Sequence, residues 1–198
     1  LHITTLLLNM VNLVKSLISV VLLSGGLFAQ SEAYEALKVF EPFIGEWFSK
    51  HNSVGAFEGL PKNKQIESAT KYEWITDKTA VMETWRSTFP NSDKRVNVGS
   101  IIYSLDPSTN TIKSKHFGYD GKVYWSGKGW VETKDSTIYV YTEELTINGT
   151  VTKYTTVRRP AENNNLESQY IDFIQNGKPL KDQPLRKMRR IDVAPKKD

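Results

Sequence analysis

The chain has 198 residues, a net charge of +4, 11% aromatic residues and no cysteine. That length supports one domain with a real core. The missing cysteine excludes disulfides and thiolate chemistry, so stability must come from packing. Basic and acidic residues are interleaved and the charge is mild, which favours no nucleic-acid partner.

The first segment reads as an export signal. Lys15 is the only charged residue among the first 29. The apolar run Leu17 to Leu23 follows it, then the small residues Ser24, Gly25 and Gly26, then Leu27-Phe28-Ala29. A basic start, a short apolar stretch and a small residue at the cut define a secretory signal peptide. Met10 is a plausible true start, and cleavage is expected after Ala29 or, as second choice, after Ala33. The apolar stretch falls well short of the ~20 residues that a membrane-spanning helix needs. The chain is therefore expected to be exported, to the periplasm or the medium, with residues 30–198 as the mature domain.

A short helix is expected over 32–43, where Ala36, Leu37, Phe40 and Phe43 fall near helical spacing and Pro42 loosens the last turn. Ten strands follow, near 46–54, 66–76, 80–89, 96–105, 111–119, 123–132, 137–147, 150–159, 166–175 and 186–192. Turn residues bound each of them. Asp106-Pro107-Ser108-Thr109-Asn110 marks one connection, and Asp120-Gly121 and Asn148-Gly149 read as two-residue hairpin turns. So long a meander must close or leave long exposed edges. The expected fold is all-β: an antiparallel up-and-down barrel of about ten strands with a short N-terminal helix.

Phe43-Ile44-Gly45-Glu46-Trp47, after the helix and opening the first strand, resembles the Gly-x-Trp signature of calycins, the superfamily of lipocalins, fatty-acid-binding proteins and nitrobindins. Tyr72-Glu73-Trp74-Ile75 and Val81-Met82-Glu83-Thr84-Trp85 are similar to exported bacterial proteins with a lipocalin-like domain. Gly118-Tyr119-Asp120-Gly121 and Gly127-Lys128-Gly129-Trp130 fit the same picture. The resemblance covers most of residues 37–192. It implies a barrel with an internal cavity whose closed end is plugged by Trp47.

Strand alternation says what lines that cavity. With Lys113 and Lys115 in solvent, Ile112, Ser114 and His116 face inward. If Trp47 faces inward, so do Ser49 and His51. Trp74 and Trp125 are further wall candidates. Arg86 and Arg158 are candidates to turn inward and hold an acidic head group. Two imidazoles in one barrel raise haem or a metal. Nitrobindin-like barrels, however, use a histidine near the C-terminal strands, and no histidine follows His116. No third metal ligand stands at a recognisable spacing either, so no cofactor and no metal are expected.

No nucleophile elbow, phosphate loop or His-Glu-x-x-His is present, and no catalytic residue is assigned. Glu143 and Glu144 are adjacent on one strand and face opposite sides. Arg186-Lys187-Met188-Arg189-Arg190 reads as an edge strand guarded by charge, or as a patch in weak contact with an anionic membrane surface. The residues favour an exported barrel that binds a small apolar or amphipathic ligand. A cavity enzyme, isomerase or hydrolase, and a structural barrel with a filled core are the alternatives.

Overall fold

The computed structural model describes residues 32–191. The expected leader lies outside the described residues. One α-helical turn and a half, α1 (32–37), runs directly into a 3-10 helix, Lys38–Phe43. Pro42 sits inside that last part. It has no N–H to give to a helical ladder, which suits the tighter 3-10 winding there.

Eleven strands follow: β1 (Gly45–Val54), β2 (Lys62–Ile75), β3 (Ala80–Thr88), β4 (Arg95–Asp106), β5 (Thr111–Asp120), β6 (Val123–Lys134), β7 (Thr137–Thr146), β8 (Val151–Ala161), β9 (Asn165–Gln175), β10 (Lys178–Pro179) and β11 (Arg186–Arg190). Consecutive strands from β1 to β9 pair antiparallel. β11 then inserts between β9 and β1, which closes a ten-stranded barrel. The two-residue β10 only extends the edge of β9. Closure removes the free edges that a meander of this length would expose.

Two local expectations are corrected. The β5–β6 loop is Gly121-Lys122, because Asp120 still pairs with Val123 as the last residue of β5. The β7–β8 connection holds three residues: Thr146 and Thr150 close it, and Gly149 takes the left-handed position at φ +85°. That is the common three-residue hairpin geometry.

The C-terminal basic run is not an edge strand. β11 has neighbours on both sides, and its alternation is ordinary once two arginines are allowed inside. Met188 is buried in the core, while Lys187 and Arg189 face out. Arg186 lies over the Tyr170 ring at 4.8 Å and Arg190 over the Trp47 ring at 4.4 Å. Aromatic faces stabilise the guanidinium groups there.

The interior is divided along its axis. At the helix-capped end, Leu37, Phe40 and Phe43 enter the barrel and meet Trp47, Tyr72, Val81, Tyr103, Val140 and Leu166. Phe40 packs on Tyr103 at 4.5 Å between ring centroids. Trp47 is the link between helix and barrel: it is 1% exposed and its Nε1–H donates to the Phe43 carbonyl at 2.7 Å. The other half of the interior is polar.

Candidate functional site

The polar half encloses a cavity of about 90 Å3. This is small beside the several hundred Å3 typical of pockets for drug-sized ligands. Its floor is an ionic cluster. Arg158 donates from Nη2 to Glu83 Oε1 and from Nη1 to the Tyr103 hydroxyl, each at 2.8 Å, and Tyr103 donates to Glu83 Oε2 at 2.7 Å. The Arg158 guanidinium also lies 5.8 Å from the centre of the Tyr72 ring. Burial alone would weaken the charge on Arg158, but Glu83, with the tyrosines beside it, holds its pKa well above the ordinary value.

Above the floor stands a ring of small polar groups. Ser68 and Ser87 share a 2.6 Å hydrogen bond across β2 and β3. His116 Nε2 pairs with Ser114 Oγ at 2.7 Å along β5, and Ser49 approaches His51 Nδ1 at 3.4 Å along β1. Burial drives both imidazoles down to about 3, with Arg158 adding to the shift at His116 and Arg186 at His51. Both rings are therefore neutral at ordinary pH.

Two tryptophans form one wall. Trp85, Gly99, Gly118 and Trp125 lie at one level on β3, β4, β5 and β6. A Cβ on Gly99 would lie 2.3 Å from the Trp85 ring, and one on Gly118 would lie 2.6 Å from the Trp125 ring. The bare backbone of the two middle strands thus lets the indoles fold toward each other, and they stack at 5.9 Å and 13°.

The mouth carries two carboxyls and a covering loop. Glu144 on β7 accepts a short hydrogen bond from the Tyr154 hydroxyl. Asp120 ends β5. Residues 55–61 cross the opening: Phe57 packs edge-on against Tyr154, Tyr170 and Phe173 at 5.2–5.6 Å. Glu58 accepts hydrogen bonds from Thr146 and Asn148 of the β7–β8 hairpin. Gly59 abuts the backbone of Asp120.

Burial raises the Glu144 carboxyl to about 8, against the lowering effect of the Tyr154 bond and with a further rise from the charge of Asp120. Burial raises Asp120 to about 7, and Trp125 Nε1 opposes the shift without closing a hydrogen bond. These shifts predict a pH profile of stability. A carboxyl raised in the folded state stabilises the fold fully below its unfolded value of about 4, and that contribution is lost as pH rises through the folded value. A histidine depressed in the folded state acts oppositely, so stability grows as pH rises from about 3 to about 6.5. The two effects offset each other between about pH 4.5 and 6.5. Above that only the carboxyls remain, and at up to ~1.4 kcal/mol per pH unit per group they should cost the barrel about 3 kcal/mol between pH 6.5 and 8.5. Urea denaturation across this range checks the profile; stability that increases over the interval would contradict the two raised carboxyls.

Of the residues nominated from sequence, His51, His116, Trp125 and Arg158 line this cavity. Trp47 lies beyond the floor, in the apolar plug. Trp74 does not reach the cavity. It sits past Tyr72 at the helix end of β2, half-buried, with its ring 5.4 Å from Tyr34. Arg86 is on the outer surface, because Val81, Glu83 and Ser87 occupy the inner face of β3. Its Nη2 donates to the backbone oxygen of Asp93, at 3.4 Å. Arg158 does turn inward, but Glu83 already matches its charge. Neither arginine is free to hold an acidic head group.

Sequence reading missed Glu83, Asp120, Glu144 and Tyr154. The signal for Glu144 was alternation from Ile138 and Val140, which puts every second residue of β7 inside. Asp120 was assigned to a turn by an end point one residue short. Among the described residues no group of three or more His, Asp and Glu could hold a metal ion. With His116 Nε2 tied to Ser114 and so little space, the cavity as built does not fit haem.

No family model matches the chain, and no curated protein matches it either.

Proposed function

We propose that this protein is an exported, calycin-like barrel that holds a small amphipathic molecule in its cavity. One observation carries the reading. Among the described residues, four buried polar atoms of the cavity lining lack a protein partner: Ser53 Oγ, Asn97 Oδ1, His116 Nδ1 and Trp125 Nε1. Unpaired buried polar groups cost about 1–3 kcal/mol each, and a barrel filled only by its own side chains has no reason to keep four. A bound molecule or water satisfies them. The stacked tryptophans beside these atoms supply an apolar face. The position of Trp47 at the plugged end supports the resemblance to calycins, and the pattern of residues 1–29 supports export.

Native mass spectrometry of the protein recovered from the periplasm or medium of its own host tests both parts at once. The chain mass should correspond to a start at Gln30 or Tyr34, and a second, non-covalent species should carry the added mass of a small molecule. A protein with its leader intact would remove the export reading. A bare chain alone would leave a structural barrel whose interior is wetted by solvent.

A cavity enzyme, isomerase or hydrolase, is the second reading. The observation that favours it is the pair Asp120 and Glu144, which titrate near neutrality, where general acid–base groups work best.

A further inference from the structure

The charges of the cavity do not balance evenly around its wall. On the floor, Arg158 and Glu83 compensate each other. On the β11 side, Arg186 stands over Tyr170. On the opposite side, β5, β6 and β7 contribute two carboxyls and no cation: neither Asp120 nor Glu144 makes an ion pair among the described residues. Both are about 95% buried, with 6% and 5% of their surface exposed. Buried carboxyls are normally paired with a cation or fully hydrogen-bonded. Among the described residues these have one protein hydrogen bond between them, from Tyr154 to Glu144.

We propose that this wall is a binding site for a small organic cation, an ammonium group on a compact apolar or aromatic body. Asp120 and Glu144 are its counter-charge, and Trp85 and Trp125 flank its body. The proposal rests on the cavity holding a small molecule and adds the class of that molecule.

The geometry around the carboxyls fits an N–H donor. His116, Gly127 and Glu144 lie at one level on β5, β6 and β7. Gly127 leaves the middle of this row without a side chain, and Glu144 leans over it: a Cβ there would stand 2.8 Å from Glu144 Cγ. His116 faces the same space. It is 3% exposed, its ring is neutral, and its Nδ1 has no partner. In the tautomer whose Nε2–H donates to Ser114 Oγ, Nδ1 is an acceptor. Thr142 Oγ1, one inward position along β7 from Glu144, is also buried and unpartnered. A protonated amine brings N–H donors to Glu144 and, in that tautomer, to the imidazole nitrogen, while Asp120, four residues along β5 from His116, adds negative charge to the same wall. The amine also favours the charged form of both carboxyls, and a charged Asp120 becomes an acceptor for the free Trp125 Nε1–H. Aromatic faces attract cations in a desolvated site. An anionic ligand would meet two carboxyls here; Arg158 is engaged by Glu83, and Arg186 stands on the other side of the cavity, over Tyr170.

Calorimetric titration of the mature protein at pH 7.5 with propylammonium, 1-propanol and butyrate, small enough for the cavity, tests this on one apolar body with three head groups. Propylammonium should bind at least tenfold tighter than 1-propanol, and butyrate weakest. Glu144→Gln and Asp120→Asn, which keep the side-chain shapes, should each reduce the preference for the ammonium at least fivefold. The charge series on the unaltered protein stands even if a variant folds poorly. Tighter binding of the alcohol or of butyrate overturns the cation while leaving a cavity that binds. A preference unchanged in both variants overturns the assigned carboxyls. Binding of none of the three probes overturns the cation and the small-molecule reading together.

Discussion

Arg158→Met is expected to lower the stability of the barrel by about 3–5 kcal/mol, the usual cost of removing one partner from a buried ion pair. The reason is what stays behind. Glu83 is 3% exposed and would keep no cation beside it, only the hydroxyls of Tyr103 and Tyr72. It would then have to protonate on folding or remain charged without compensation. The second arm of the experiment removes Glu83 as well. Glu83→Gln combined with Arg158→Met leaves no buried charge on the floor, while Gln can still accept the Tyr103 bond. The double variant should recover more than half of the loss, because replacing both members of a buried pair with neutral groups is often nearly neutral. Urea denaturation of the two single variants and the double variant measures the coupling. A single loss below about 1 kcal/mol would mean that solvent reaches this floor and screens the pair.

Trp47→Ala should cost about 3–5 kcal/mol, as truncations of fully buried aromatics do. Three losses combine in it. The indole leaves a void among Phe43, Tyr72 and Val81 at the plugged end. The Phe43 carbonyl loses its 2.7 Å hydrogen bond, and the Arg190 guanidinium loses the ring beneath it. Trp47→Phe separates these contributions. It keeps most of the volume and an aromatic face but removes the N–H donor, so it should cost about 1–2 kcal/mol. If the two variants were equally destabilised, the hydrogen bond to the helix would outweigh packing, and the plug would be held by polarity instead of apolar burial.

Much of the barrel was legible in the sequence because its strands obey the two-residue period cleanly. β5 is the clearest case: Ile112, Ser114 and His116 face in while Lys113 and Lys115 face out, and charge alone decides it. The leading helix was legible for a similar reason, since Leu37, Phe40 and Phe43 share one face and all three are buried. What failed was any inference that took polarity as a sign of exposure. Glu83, Asp120 and Glu144 are inside, and the arginines of β11 turn inward too. Glu83 and Arg190 are tolerated by partners that lie far away in sequence. Glu83 needs Arg158, 75 residues on, and Arg190 needs the Trp47 ring at the other end of the domain. No local pattern announces such a partner. Arg86 failed for the reverse reason, because the inner face of β3 carries a glutamate where an apolar residue would have given the alternation away. The register of β9 was also hidden. The pairing of β8 with β9 shifts between Lys153 and Thr155, and Asp172 takes φ +54°, so that Phe173 turns inward after Leu166, Ser168 and Tyr170.

The segregation of the interior into an apolar half and a polar half has a consequence for how this fold tolerates change. Apolar burial is the dominant favourable contribution to folding, and here it is concentrated at the helix-capped end. Amide hydrogen exchange should therefore be slowest where β1, β2 and β4 surround the plug and faster toward the covering loop. Side chains around the opening contribute less to keeping the chain folded, so they are the ones that can be exchanged at small thermodynamic cost. In evolutionary terms one end of the barrel is a constant foundation. The other is open to drift, able to acquire a different chemical preference while the strands beneath it keep their register.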